Sequence, residues 1–260
     1  MILENILDEK RRIICEEKKI VPLEKLRKKP AEPNPRSLKK SLEEKGFGII
    51  AELKRGSPSA GVIDRNLDVM EKALAYSRSG VSGISVLTCE PYFYGSPDDL
   101  RDVRKVIDLP LLMKDFIFDP YQVFQGKACG ADAVLLILRV LSDDGFNRLS
   151  DTAESLMMEV LVEVHTRDEL ERTFRLVKNW KDKILGINNR NLETLKTDLN
   201  VTLDLIKFVP RDKITVISES GIKNRSEVKM LEEAGLHGIL VGESILRSDN
   251  LKEKLKELIK

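Results

Sequence analysis

Eight short apolar runs, each followed by a longer stretch of mixed charge, constrain this chain more than any other feature of its sequence. They lie at residues 49–53, 83–87, 111–114, 133–137, 160–164, 184–187, 215–218 and 238–241. Their residues are nearly continuously apolar, not alternating, which is the pattern of strands buried on both faces in a parallel sheet. Every gap is long enough for one helix, and residues 67–79, 98–107, 142–157 and 226–234 have helical amphipathic spacing. A charged amphipathic stretch at 250–259 closes the chain. Eight βα units in succession predict an α/β fold, a closed (β/α)8 TIM barrel. An open doubly wound sheet would ordinarily carry GxGxxG after its first strand, and none follows Leu53.

Residues 1–45 break this rhythm. Leu3, Ile6, Leu7, Ile13 and Ile14 recur at helical spacing among charges, Pro30, Pro33 and Pro35 interrupt any helix, and Leu38 and Leu42 mark a second short one. The expected organisation is an N-terminal helical extension over 1–45 and a barrel over 46–260, one domain overall. On sequence alone the extension is as easily a docking element as a part of the chemistry.

Charge narrows the function classes. Lys and Arg number 44 against 43 Asp and Glu, a net charge of +1 within 33% charged residues. That balance suggests surface ion pairs and offers no general attraction to nucleic acid or membrane. Cys15, Cys89 and Cys129 are odd in number, far apart and in no CxxC arrangement, so free thiols in a reducing compartment are expected. The opening Met-Ile-Leu-Glu-Asn lacks a signal-peptide pattern, and no apolar run approaches a bilayer span. A cytoplasmic protein is the expectation. The two histidines, His165 and His237, are not spaced as metal ligands and read as structural, which leaves acid–base chemistry to Lys, Glu and Asp. Cys89, after the second run, reads as a bystander thiol.

Barrel enzymes carry their sites at the C-terminal ends of the strands. Here those ends supply Glu52 and Lys54 (which share one face by period-two alternation), Lys114, Glu163 and Glu219. A lone Lys or Glu at a strand end ordinarily just meets solvent. Three carboxylates and two amines at the same end of four strands instead pair their own charges and hold the materials of general acid–base catalysis. A separate signal concerns phosphate. Ser220-Gly221-Ile222-Lys223 follows strand seven and Gly242-Glu243-Ser244 follows strand eight, the two loops that most often bind phosphate in barrels. Glycine lets backbone N–H groups approach an anion and serine adds a donor. Glu243 fits such a site if only its N–H is used and its side chain points away.

These residues resemble a known family. Glu52-Leu53-Lys54-Arg55-Gly56-Ser57-Pro58-Ser59 is similar to the Glu-x-Lys-x-x-Ser-Pro-Ser signature of indole-3-glycerol phosphate synthases. Leu112-Met113-Lys114-Asp115-Phe116, Leu161-Val162-Glu163-Val164-His165, Gly186-Ile187-Asn188-Asn189-Arg190-Asn191-Leu192 and Ser218-Glu219-Ser220-Gly221-Ile222 resemble that family's strand three, five, six and seven segments, in the correct order. Cys89-Glu90-Pro91 and Ala60 depart from the usual pattern without removing a catalytic position.

The resemblance implies ring closure of 1-(2-carboxyphenylamino)-1-deoxyribulose 5-phosphate with loss of carbon dioxide and water, with no metal and no organic cofactor. It implies Lys114 as the acid at the ribulose carbonyl, with Lys54 and Glu52 or Glu163 sharing the remaining proton transfers. Asn188 and Ser220 would orient the substrate and Glu219 would hold neighbouring side chains. Lys54, Ser57, Arg190, Gly221, Gly242, Glu243 and Ser244 fall to the phosphate end, and Pro58, Phe93, Phe116, Leu135 and Leu240 to a slot for the aromatic ring. The expected partner is a phosphorylated small molecule, with no nucleic acid or membrane involved, and the expected state is a monomer. Rival readings are another phosphate-binding barrel enzyme, a phosphoribosyl isomerase or a Schiff-base aldolase using Lys114, and a catalytically idle binding barrel.

Overall fold

A computed structural model describes residues 2–28, 36–248 and 250–259. Eight parallel strands close into a barrel: β1 (Gly48–Leu53), β2 (Gly83–Leu87), β3 (Leu111–Lys114), β4 (Ala133–Ile137), β5 (Glu159–Val164), β6 (Lys183–Asn188), β7 (Val216–Glu219) and β8 (Gly238–Val241). Closure is by β8 against β1, with Ile49 opposite Ile239 and Ala51 opposite Val241. The eight apolar runs are these eight strands, within a residue at most ends.

The strands are apolar on both faces because each face meets a different core. One cluster includes Ile50, Leu112, Leu135, Leu161, Ile184, Ile217 and Leu240, one residue from each of seven strands, and fills the barrel interior. A second, larger cluster holds the alternate residues, such as Ile49, Ala51, Met113, Val134, Val162 and Leu185, with the apolar faces of the outer helices. Those helices start where the sequence supplies caps. Asp68, Ser96, Asp119, Ser142, Thr166 and Asn224 each accept a backbone N–H of the first turn, and Pro97 and Pro120 stand inside two of those starts.

The N-terminal segment forms three helices: α1 (Ile2–Ile20), α2 (Leu23–Arg27) and α3 (Leu38–Glu43). Helix α2 had no counterpart in the periodicity, being only one turn longer than a cap. Pro30, Pro33 and Pro35 lie outside the described residues. Leu38 and Leu42 of α3 are fully buried, and Leu42 packs beneath Gly48 and Gly238, where β1 and β8 begin. Ser41 Oγ donates to the carbonyl of Ser82 just before β2. Helix α3 therefore stoppers the N-terminal end of the barrel, and α1 reaches the opposite mouth, where Ile2, Leu3 and Ile6 stand on a cavity wall.

Candidate active site

A cavity of about 750 Å³ opens at the C-terminal ends of the strands. Period-two alternation aims Glu52, Lys114, Glu163 and Glu219 inward, one pleat above the apolar layer of Ile50, Leu112, Leu161 and Ile217, and aims Asn188 inward two pleats above Ile184, with Gly186 between them. Lys114 stands at the centre. Its Nζ is 2.9 Å from Glu163 Oε2 and 2.5 Å from Glu219 Oε2. Lys54, just past the end of β1, reaches back to Glu52 Oε1 at 2.6 Å. Asn188 Nδ2 donates to Glu163 Oε1 at 3.0 Å, and Asn188 Oδ1 accepts from the Arg190 backbone at 3.0 Å. The five charged groups thus pair with one another while staying against the cavity.

This arrangement tunes two of them. Burial alone would drive the Lys114 amine down. The carboxylates of Glu163, Glu219 and Glu52 overcome that and hold it above the ordinary lysine range, so it remains a cation. Burial first, and then the neighbouring Glu163 and Glu52 charges, push Glu219 up to about 7 against the pull of Lys114. Glu219 Oε1 is buried without a hydrogen-bond partner. It lies over Gly186, where a Cβ would come within 2.2 Å of it, so the carboxylate occupies space that any other residue on β6 would fill.

The loops after β7 and β8 form one end of the cavity. Ser220 and Gly221 turn the chain with φ of 69° and 82°, a left-handed conformation that costs a serine on the order of 1 kcal/mol. Gly242 and Ser244 lie alongside, and the Ser244 hydroxyl is buried without a partner. Arg190 crosses this end, donating to Ser59 Oγ at 2.6 Å and to the Leu195 carbonyl at 3.3 Å. The Glu243 side chain does not point away: its carboxylate lies 3.2 Å from Arg247 Nε and 3.9 Å from Arg190 Nη2. The reason is local, since Arg247 follows one helical turn later and draws the carboxylate along the cavity rim. Pro58, Phe93, Phe116, Leu135 and Leu240 also line the cavity, with the Phe93 and Phe116 rings 6.2 Å apart.

Every residue singled out from the sequence for catalysis, phosphate or the aromatic slot borders this one cavity. The sequence reading missed Ile2, Leu3 and Ile6 of α1, and also Ser59, Leu192 and Arg247, which share the wall. The apolar stripe of α1 was visible; which surface it covers was not. His165 and His237 serve the backbone, His165 Nδ1 bonding the Asn188 carbonyl at 2.7 Å and His237 Nδ1 accepting from the Val216 N–H at 3.1 Å.

A family model described as indole-3-glycerol phosphate synthase matches residues 3–258. The chain belongs to the indole-3-glycerol phosphate synthase family. A curated member from Carboxydothermus hydrogenoformans is 40% identical over the whole of both chains. Another from Alkaliphilus metalliredigens is 40% identical over 99% of this chain and 98% of its own. Members are carboxy-lyases of tryptophan biosynthesis, and this chain is an enzyme of that class. Solved structures match more distantly. 3-Hexulose-6-phosphate synthase from Salmonella typhimurium covers 82% of this chain and 97% of its own at a TM-score of 0.63 and 14% identity. A chain of the tryptophan synthase complex from Pyrococcus furiosus gives 0.59 at 13% identity, over 82% of this chain and 97% of its own. At such identities the likeness shows the barrel. No helix among the described residues is long and apolar enough to cross a membrane.

Proposed function

We propose that Lys114 is the catalytic acid of indole-3-glycerol phosphate synthesis and that the groups around it divide the remaining work. The observation that carries this reading is the Lys114 amine itself, held cationic by two carboxylates at 2.9 and 2.5 Å and facing a cavity. The aromatic ring carbon that bears the carboxylate attacks the ribulose carbonyl. Charge develops on the carbonyl oxygen, where a fixed ammonium stabilises it and delivers a proton. Carbon dioxide then leaves that ring carbon with its bonding electrons returned to the ring system. The new hydroxyl takes up a proton and departs as water, and loss of a neighbouring proton completes the indole. The sum consumes one proton when the substrate carboxylate leaves as carbon dioxide.

Lys54, bonded to Glu52, is suited to protonating the leaving hydroxyl, and Glu52 or Glu163 to taking the last proton. These carboxylates and amines are close enough to exchange charge as one set. Asn188, tied to Glu163, and Ser220 would orient the sugar hydroxyls, and Glu219 keeps Lys114 in place. The phosphate falls to Lys54, Ser57, Arg190, Gly221, Gly242, Ser244 and the Glu243 backbone. The ring falls to the wall of Pro58, Phe93, Phe116, Leu135 and Leu240. The unpartnered Glu219 Oε1 and Ser244 Oγ support this placement, since buried polar atoms are ordinarily paired and substrate would pair both. The extension over 1–45 and the barrel over 46–260 act as one domain, working as a cytoplasmic monomer on a phosphorylated small molecule.

The test is formation of the fluorescent indole product from the carboxyphenylamino ribulose phosphate by the full chain with a metal chelator present. Turnover is expected. A folded chain that binds the substrate and leaves it unchanged would overturn the reading.

A further inference from the structure

The N-terminal helix carries a lysine where its docking face is otherwise apolar. Leu3, Ile6 and Lys10 follow one another at three- and four-residue intervals along one side of α1. Lys10 is only 2% exposed. Its Nζ donates to Asp115 Oδ2 at 2.7 Å, and none of the Asp115 side chain meets solvent. Asp115 immediately follows Lys114. The same oxygen accepts from Thr88 Oγ1 at 2.7 Å, and Oδ1 accepts from the Phe116 N–H at 2.8 Å. One carboxylate therefore joins three separate parts of the mouth: helix α1, the segment leaving β2, and the loop that presents the Phe116 ring.

Removing two charges from water costs about as much as their attraction returns, and well-packed apolar residues would hold the helix at least as firmly. What the pair adds is geometry. Leu and Ile contacts tolerate sliding and rotation of a helix, whereas a buried ammonium has a single place where its charge is met. The residues whose position depends on that register are Ile2, Leu3 and Ile6, which stand on the cavity wall, and Phe116, which pairs with Phe93.

We propose that Lys10 and Asp115 are positioning residues for the reaction: their buried ion pair sets the register of the N-terminal helix over the barrel mouth and thereby the wall against which the substrate's aromatic ring lies. The proposal rests on the ring placement given above. It assigns the pair to substrate binding, apart from the proton transfers at Lys114.

The test compares the full chain with Lys10→Met and with the neutral pair Lys10→Met/Asp115→Asn, which leaves no bare buried carboxylate and serves if the single variant does not fold. Two readouts are taken: KM and kcat for the carboxyphenylamino ribulose phosphate, and hydrogen–deuterium exchange of residues 2–20 and the Phe116 amide without substrate. The expected result is a KM raised about tenfold with kcat within about threefold, together with faster exchange in α1 and at Phe116. Folded variants with unchanged KM and exchange, even at a lowered Tm, would overturn the proposal and leave the pair as structural support alone. Exchange needs no turnover, so it separates the two readings. If the unaltered chain fails to make the indole product while exchange still accelerates, the register role stands and the proposed function falls. If turnover is normal and exchange does not move, the reverse holds.

Discussion

Replacing Gly186 by alanine puts a methyl group 2.2 Å from Glu219 Oε1 and 3.1 Å from Leu161 Cδ1. Ordinary contact begins near 3.4 Å, so the carboxylate must retreat by about 1 Å, the lesser movement being that of the freer side-chain end. Glu219 Oε2 is the atom that holds Lys114 at 2.5 Å, and a shift of that size breaks the bond or drags the amine with it. Misplacing a catalytic group by about 1 Å costs on the order of a hundredfold in rate, about 2.7 kcal/mol. Stability should fall by only about 1 kcal/mol, because the methyl displaces a side chain and no backbone. The assay is kcat/KM by product fluorescence, with Tm measured alongside. In a Glu219→Ala background the same change should cost less than about threefold, since nothing remains to collide with. Near-normal kcat/KM for Gly186→Ala would show that Glu219 does not depend on the space above Gly186, and an equal hundredfold loss in both backgrounds would show that the loss does not run through Glu219.

Other consequences follow from the same geometry. Glu219, raised to about 7 from an ordinary 4.5, keeps its proton in the folded chain where the unfolded chain has lost it; folding takes up that proton, so stability from this group is full below pH 4.5 and falls as pH rises to about 7. Urea unfolding should show the unaltered chain losing on the order of 3 kcal/mol relative to Glu219→Gln across that window, and parallel pH dependences would contradict it. Leu42→Ala, at the stoppered end of the barrel, should cost about 3 kcal/mol in urea unfolding and leave kcat/KM within about twofold; a large loss of activity would deny the separation of the two ends. Arg190→Ala should raise KM about tenfold or more with a smaller change in kcat, and steady-state kinetics showing unchanged KM would remove Arg190 from the phosphate end.

Much of this was readable in the sequence because barrel strands are buried on both faces. Runs such as 133–137 and 238–241 stay apolar throughout, and a charge inside one, as at Glu163, stands out. The same period-two logic brought Glu52, Lys114, Glu163 and Glu219 to one layer. What could not be read depends on how faces meet across the chain. The stripe of Leu3 and Ile6 identifies an amphipathic helix but not the cavity it walls. Lys10 looks like any helix charge until Asp115, far along the chain, is found against it. Glu243 fits a phosphate end if only its N–H is used and its side chain can point away; that Arg247 and Arg190 lie beside its carboxylate is not visible in the sequence. Gly186 reads as one more small residue in a strand until the Glu219 carboxylate is seen occupying its side-chain space.

The most direct test of the account is the Lys114→Ala chain, measured for turnover of the carboxyphenylamino ribulose phosphate and, by titration, for affinity toward the indole product. If Lys114 acts on the reacting carbonyl as proposed, kcat falls by about a thousandfold or more while product affinity stays within a few-fold of the unaltered chain. A folded Lys114→Ala chain that turns over within tenfold of the unaltered rate would contradict the assignment.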